Sequence, residues 1–299
     1  VGTSQVSTVP ADKIANIPAP PPQQIDTLTT PEQILSGPGT GNNIALPAAA
    51  ANYTLISAEY NPATAEQNVQ NVIQNVRISS TANQIDMIKA PLFPNFPGYV
   101  IRGYTARFQE GGSDNGTIAW GRWADGTALI GGWSGTAASP TPISLTEAQG
   151  FHWIIGEPAR TLPSSGVYTF NLIGATVPTE TRTNAELGWS VTAGSLTADL
   201  TNARISGQMT LYLARSEGYG YFDMRFASNG AIAAGVPTML DTNVTRLNGS
   251  AVICTAACGG VGRLLFFGND PAKPAQQAGM TYNFNVGTYL VTGAAAFGR

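Results

Sequence analysis

The sequence predicts a mainly β protein organised around an antiparallel meander β-barrel of about eight strands. After residue 98, apolar and polar residues alternate with a period of two over most of the chain, which indicates strands with one buried and one wet face. Turn signals recur at intervals of about ten residues, as in meander barrels and sandwiches. The chain has 299 residues, of which 43% are hydrophobic, enough for a sizeable core.

Residues 1–50 predict an extended arm. Many prolines exclude a regular helix or ladder here: Pro10, Pro18, Pro20, Pro21, Pro22, Pro31 and Pro38. The arm has little apolar surface to offset its ordering entropy, so an ordered arm needs support from its own domain or from a neighbouring copy. Both arrangements remain open. Its candidate anchors are the apolar residues Ile14, Ile17, Ile25, Leu28 and Ile34.

Residues 51–150 predict a smaller β-rich region with one short helix. A first strand is expected over 52–60. Asn61-Pro62 is typical of an N-cap followed by proline at the first helical position. Apolar residues then recur at helical spacing from Val69 to Val76, so we expect a helix over 62–76. Further strands are expected over 98–109, 117–123 and 127–133, separated by Gly-rich turns.

Residues 151–299 predict the C-terminal barrel, and residues 260–299 its closing strands. Alternation is clear in several segments, for example Phe222, Met224 and Phe226 against Tyr221, Asp223 and Arg225. The inward set is bulky, with Phe222, Phe226, Tyr282 and Phe284. A barrel of about eight strands is just wide enough for such side chains to fill it, so we expect a filled interior, with any binding on loops or on the outer face.

Charged residues make up only 11% of the chain, and the formal net charge is -3. An average globular protein has about 25%, so Ser, Thr, Asn, Gln and Gly must keep this surface soluble, as in extracellular or assembling β-proteins. No basic cluster occurs, so no nucleic-acid partner is expected. No apolar run approaches the roughly 18 residues of a membrane-spanning helix. The chain begins at Val1, and we expect a form processed after export, secreted or at the cell surface.

The two cysteines predict a disulfide at a hairpin tip. Cys254 and Cys258 are separated by three residues, whereas a redox motif normally has two. Zinc would need about four ligands, and the single histidine, His152, lies far away in sequence. A Cys254–Cys258 disulfide favours an oxidising compartment.

Candidates for catalysis are few, and we expect no enzyme and no cofactor. Residues 131–135, Gly-Gly-Trp-Ser-Gly, lack the spacing of a hydrolase nucleophile elbow. His152 lies between aromatic residues without an evident nucleophile. Asp199, Glu217 and Asp223 are possible members of a glycosidase carboxylate pair, which only their separation can decide. Phosphate loops and clustered metal ligands are lacking in the sequence.

Four aromatic residues have two interpretations. Trp120, Trp123, Trp133 and Tyr219 either form a surface contact for a carbohydrate or protein, or pack in the barrel. Packing is the expectation, because tryptophan is highly buried on average.

Short motifs resemble the C-terminal region of bacterial FecR-domain-containing surface proteins. These are residues 120–123 (Trp-Gly-Arg-Trp), 150–156, 162–169, 195–200, the cysteine hairpin and the terminal Gly-Ala-Ala-Ala-Phe. More distantly, residues 195–200, 266–268, 278–279 and the final Ala-Phe look like the eight-stranded barrel lobes of transferrin-binding protein B and related surface lipoproteins. The FecR domain itself is not in this chain. Residues 268–271, Gly-Asn-Asp-Pro, also differ from the Phe-Phe-Gly-Pro-like turn of the proteins that the sequence resembles. We carry over no binding residue and no iron-related role.

Three functions are consistent with these features. The first is an exported bacterial surface or extracellular structural protein. It assembles with copies of itself through its N-terminal arm, for example as a filament or array. The second is a monomeric outer-surface module that binds a host protein or glycan. A carboxylate-pair hydrolase is the remote alternative.

Overall fold

The computed structural model describes most of the chain from residue 53 onward. The described residues are 53–60, 67–78, 88–90, 98–102, 107–114, 116–133, 141–146, 149–180, 189–215, 218–228, 230–249, 258–268, 270, 274–286 and 289–299. Within these ranges every regular element is a β-strand. The predicted arm, with Ile14, Ile17, Ile25, Leu28 and Ile34, lies outside them.

The first nine strands form one sheet. They are β1 (Tyr53–Tyr60), β2 (Gln67–Ile78), β3 (Ile88–Ala90), β4 (Gly98–Arg102), β5 (Arg107–Asp114), β6 (Ile118–Ala124), β7 (Gly126–Trp133), β8 (Thr141–Leu145) and β9 (Phe151–Gly156). Their order in the sheet is β5-β6-β9-β1-β2-β3-β4-β7-β8. The inner strand β1 pairs antiparallel with β2 on one side and with β9 on the other.

The helix predicted over 62–76 is wrong, because residues 67–78 form strand β2. Val69 and Val72 lie in regular register and so on opposite faces of the strand, whereas the three-residue spacing from Ile73 to Val76 comes from a bulge. The pairing of β1 with β2 shifts register between Tyr53 and Leu55, whose partners Val76 and Ile73 are three residues apart. A bulge of this kind inserts one residue and breaks the period of two. Valine and isoleucine also prefer strands, because their branched side chains restrict χ1 in a helix.

The remaining strands form the predicted barrel. They are β10 (Val167–Ala175), β11 (Thr179–Glu180), β12 (Trp189–Asp199), β13 (Arg204–Arg215), β14 (Gly218–Ser228), β15 (Thr238–Gly249), β16 (Cys258–Phe267), β17 (Gln277–Val286) and β18 (Tyr289–Gly298). Eight of them follow one another as an antiparallel meander, β10 and β12 to β18. Pairing of β10 with β18 closes the circle, and β11 adds a short second pairing to β18. The prediction of an eight-stranded barrel closed by the last forty residues is confirmed.

The barrel interior is filled by side chains, as expected. Phe222, Phe226, Tyr282 and Phe284 are each 2% exposed or less. Large residues face small ones across the ladder, since Phe226 pairs with Gly207 and Tyr282 with Gly293. A Cβ at Gly207 would collide with the Phe226 ring. This alternation of large and small residues fits the aromatic rings into a barrel of this size.

One face of the first sheet packs against the outer wall of the barrel. Ile56, Trp120 and Ile154 meet Leu265 and Ala296 in one apolar cluster. The other face of these strands is buried as well, because every residue of β6 and of β9 is buried. Strands covered on both faces read as continuous apolar runs rather than alternating ones, which explains the composition of residues 151–156, Phe-His-Trp-Ile-Ile-Gly.

Strand β9 belongs to the first sheet, where it lies between β1 and β6. The segment that follows it is fixed to the barrel by backbone bonds. The Ala159 N–H donates to the Phe266 carbonyl at 2.8 Å, and the Gly268 N–H donates to the Glu157 carbonyl at 3.0 Å. A side-chain bond adds to them, from Gln277 Nε2 to Asp114 Oδ2 at 2.8 Å. The barrel strands therefore begin at β10, after a connection that is itself part of the interface.

Candidate functional site

His152 lies between the first sheet and the barrel and is fully buried. Its Nδ1 lies 2.8 Å from Thr176 Oγ1, and its Nε2 lies 2.7 Å from Thr179 Oγ1. Both threonines belong to the barrel side, where the Ala294 N–H donates to Thr176 Oγ1 at 2.9 Å. Thr179 Oγ1 lies 3.3 Å from Thr292 Oγ1. The histidine thus links β9 to the β10–β11 connection through Thr176 and to β11 through Thr179. The two threonines in turn contact β18.

The surroundings of His152 favour its neutral form. Burial lowers the pKa of His152 well below its usual value near 6.5, and the positive charge of Arg122 lowers it further. A hydroxyl can donate or accept, so either neutral tautomer has both ring nitrogens paired. This geometry is that of a structural histidine. A general base would need access to a substrate, which a fully buried ring does not have.

Asp199 and Asp223, the two candidate carboxylates that the structure describes, are too far apart to form a catalytic pair. Asp199 pairs with Arg204 and Asp223 with Thr210 along β13, so six residues, or about 20 Å, separate the two positions along the strand. Glycosidase carboxylates lie about 5 to 9.5 Å apart. Glu217 lies outside the described residues.

Each of these two aspartates has a local partner. Asn202 Nδ2 donates to Asp199 Oδ2 at 2.7 Å, and the Asn202 backbone N–H donates to Oδ1 at 3.1 Å. The side-chain bond from Asn202 is the main cause that lowers the pKa of Asp199. Asp223 accepts a bond from Arg225 Nε at 2.7 Å. Asp199 therefore fixes the turn between β12 and β13, while Asp223 belongs to an ion pair on the outer wall.

Trp120 and Trp123 are 1% exposed or less, so a surface contact through these two residues is wrong. They are three residues apart in a strand and therefore face opposite sides of the sheet. Trp120 packs toward the barrel, whereas the Trp123 ring stacks on Phe151 with centroids 5.6 Å apart. The side chains of Trp133 and Tyr219 lie outside the described set.

The first sheet covers only part of the barrel's outer wall. Its apolar cluster includes residues of β10, β16 and β18. The outward residues of β12, β13, β14 and β15 instead alternate with buried ones, and those described are partly or largely exposed except for Asp223, which is buried. We call this surface the exposed wall. Its outward residues include Ser195, Thr197, Arg204, Ser206, Gln208, Thr210, Tyr212, Tyr221, Arg225, Asp241, Asn243, Thr245 and Leu247.

An aromatic pair lies within the polar exposed wall. Tyr212 on β13 and Tyr221 on β14 are direct partners in the ladder. Their ring centroids are 4.9 Å apart and the ring planes are inclined by 47°. Both side chains are partly exposed. The pattern of the sequence places these tyrosines on the wet face but does not single them out. The signal that reveals them is the register of β13 with β14, which places residue 212 opposite residue 221.

Charge is nearly balanced on the exposed wall. Its described charged side chains are three aspartates and two arginines: Asp199, Asp223, Asp241, Arg204 and Arg225. Arg246 of β15 is the ladder partner of the inward Phe222 and does not belong to this face. The wall therefore has little net charge to attract a strongly charged partner.

Other candidate sites are few in the part of the chain that the structure describes. There, no group of three His, Cys, Asp or Glu residues is placed to hold a metal ion, and no helix is long and apolar enough to cross a membrane. Cys258 is buried at the start of β16. Cys254 lies outside the described residues, so the disulfide stays a prediction.

Comparisons with known proteins give a distant structural similarity. No protein-family model matches the chain, and no curated protein matches it. A similar solved structure is the N-lobe domain of lactoferrin binding protein B of Moraxella bovis. It has 9% sequence identity to this chain and a TM-score of 0.30, over 82% of this chain and 98% of that chain. No family assignment follows for this chain, and the FecR resemblance stays an expectation.

Proposed function

We propose that this protein is an exported bacterial surface module without catalytic activity that binds a macromolecular partner through the exposed wall. The partner class is a protein or a glycan in the surroundings of the cell. The location outside the cytoplasm is proposed from the low content of charged residues, the predicted disulfide and the resemblance to bacterial surface proteins.

The single observation that carries this proposal is the unequal covering of the barrel. The interior is filled by rings such as Phe222 and Phe284, which leaves little room for a ligand inside. The first sheet covers the side around β10, β16 and β18. What remains is the exposed wall, a broad surface rich in hydroxyl and amide groups that holds an aromatic pair. Aromatic residues and arginine are enriched in protein interfaces.

The proposal is tested by blocking the wall. Asn243 is exposed on β15 and lies next to Arg225 of β14 in the ladder, so Asn243→Arg adds a long charged side chain in the middle of the surface. The matched control is Asn285→Arg, the same change at an exposed position of β17. The purified full-length chain and both variants are applied to a glycan array and to immobilised proteins of serum and mucosal secretions.

We expect the natural chain and Asn285→Arg to bind the same targets and Asn243→Arg to lose them. Equal binding by all three chains would contradict a role for the wall. Self-assembly through residues 1–50 is the competing hypothesis, and its residues lie outside the described ranges. Light scattering distinguishes wall binding by a monomer from self-assembly. Self-assembly is favoured if the chain is an oligomer that dissociates when residues 1–45 are deleted while the barrel stays folded.

A further inference from the structure

We propose that Tyr212 and Tyr221 form the stacking platform of a binding site for a neutral saccharide. The inference rests on the proposed function and specifies the partner of the exposed wall. Its starting point is the position of the two rings. They lie on the wet face of adjacent strands, where the outward residues that precede Tyr212 on β13 are all polar: Arg204, Ser206, Gln208 and Thr210.

The ring geometry fits a ligand that has apolar faces and polar edges. Two rings inclined by 47° with centroids 4.9 Å apart form a shallow, partly exposed wedge. A sugar ring presents C–H groups on its face and hydroxyls around its edge. Its face can therefore cover an aromatic ring while its hydroxyls point to polar neighbours, which suits tyrosine because its ring is apolar and its tip is polar.

Polar side chains that could bond the hydroxyls of a sugar lie next to the two tyrosines on the same face. Asp223 is two residues from Tyr221 on the same face of β14, about 7 Å along the strand. Its carboxylate is 11% exposed and accepts a bond from Arg225 Nε at 2.7 Å, whereas the Arg225 side chain is 75% exposed, so the group open to a ligand here is the guanidinium donor. Ser190 is the ladder partner of Tyr212 on β12, and Thr210 lies next to Tyr212 on the same face of β13. Sites for polar ligands combine apolar walls with a few such placed groups.

The small net charge of the wall favours a neutral ligand. Three described aspartates face two arginines on its outward side, and Asp223 and Arg225 are bonded to each other. A sialylated or sulfated glycan would gain from an excess of arginine or lysine, and a cationic peptide from an excess of carboxylates, because binding surfaces carry complementary potentials. A hydroxyl-rich neutral chain requires neither.

The experiment uses the full-length chain on an array of neutral hexose and N-acetylhexosamine oligosaccharides with their sialylated counterparts, together with the immobilised proteins named above. The oligosaccharide bound best is then titrated by calorimetry against Tyr212→Ala, Tyr221→Ala and the double Tyr→Phe variant. The matched control is Tyr168→Ala. Tyr168 is a partly exposed tyrosine on β10 whose ring lies 4.7 Å from the Arg299 guanidinium.

We expect binding of neutral oligosaccharides, weakened about twofold to tenfold by each alanine change, because an aromatic contact contributes about 0.5 to 1.5 kcal/mol and about 1.4 kcal/mol corresponds to a factor of ten. The double phenylalanine variant keeps the rings and should retain most of the affinity even if an alanine variant folds poorly. Tyr168→Ala should bind as the natural chain does.

Other outcomes overturn the proposal in distinguishable ways. Neutral binding that both alanine variants and Asn243→Arg retain contradicts the platform. Binding only to sialylated glycans contradicts the ligand class. Binding only to proteins, lost in Asn243→Arg, rejects the saccharide and keeps the proposed function. No binding to any of these probes contradicts both.

Discussion

The indole of Trp120 lies directly on the backbone of Gly174. Trp120 projects from β6 of the first sheet, and Gly174 lies on β10 of the barrel, opposite Ala296 of β18. A Cβ at Gly174 would collide with the indole and would lie 2.7 Å from its Nε1. The two units can therefore approach closely here only because residue 174 has no side chain.

Gly174→Ala should loosen the contact between the first sheet and the barrel. The added methyl group overpacks a closed interface, a change that costs about 1 to 3 kcal/mol of unfolding free energy. Gly259→Ala is the matched control, because a Cβ at this β16 position meets no atom within 4 Å. The readout is urea unfolding followed by tryptophan fluorescence. Equal midpoints for the two variants would show that Trp120 moves aside without cost.

The free energy of unfolding should fall as the pH falls below about 6.5, the ordinary pKa of histidine. His152 has a lowered pKa in the folded state, so unfolding takes up a proton in this range. The stability is fully present above the unfolded pKa and is lost as the pH falls toward the folded pKa, by up to about 1.4 kcal/mol per pH unit.

His152 is the only histidine in the chain, so a slope between pH 7.5 and 5.5 identifies it. The measurement is urea unfolding at several pH values in this window, on the natural chain and on His152→Gln. The substitution is expected to lower stability and to remove the slope. An equal slope in both chains would assign the proton uptake to other groups.

Thr179→Val should destabilise the chain although it preserves side-chain shape. The change removes the hydroxyl that lies 2.7 Å from His152 Nε2 and leaves a buried ring nitrogen without that partner, at a cost of about 1 to 3 kcal/mol. Thr169→Val, at an exposed position of β10, is the control and should change stability little. If both variants show the same unfolding midpoint, the His152 bond does not stabilise the interface.

The alternation of side chains was sufficient to predict the barrel, because antiparallel strands that face a core on one side repeat it with every second residue. It was insufficient at β2, where a bulge changes the spacing of apolar residues from two to three and imitates a helix. No local pattern marks such a bulge in advance. Only the pairing with β1, whose described side chains are buried, requires residues 67–78 to be a strand.

The candidate site, like the fold, was only partly predictable from the sequence. His152 is conspicuous in the sequence, but its partners Thr176 and Thr179 follow 24 and 27 residues later and are common residues in a chain rich in threonine. Their meeting is a product of the tertiary fold. The Tyr212–Tyr221 pair, by contrast, follows from the register of two strands that are neighbours in sequence, β13 and β14, so it depends on fewer distant contacts.

The Cys254–Cys258 disulfide makes a chemical prediction. The denatured chain should show no reactive thiol until a reductant is added, and two afterwards, because these are its only cysteines. Thiol titration in denaturant with and without reductant measures this directly. The double Cys→Ser variant is the control for background reaction. Two reactive thiols in protein exported to an oxidising compartment and purified without reductant would contradict the disulfide.

Tyr282→Phe should leave stability unchanged or raise it. The Tyr282 hydroxyl is buried inside the barrel, and among the described residues it has no hydrogen-bond partner. Burying an unsatisfied hydroxyl costs about 1 to 3 kcal/mol, so its removal relieves a cost while the ring still packs against Phe284, with centroids 6.4 Å apart. Phe284→Tyr is the reverse change, two residues along the same inward face, and should lower the unfolding midpoint. A loss of stability in Tyr282→Phe would show that the hydroxyl holds an internal water molecule, which a phenylalanine cannot bind.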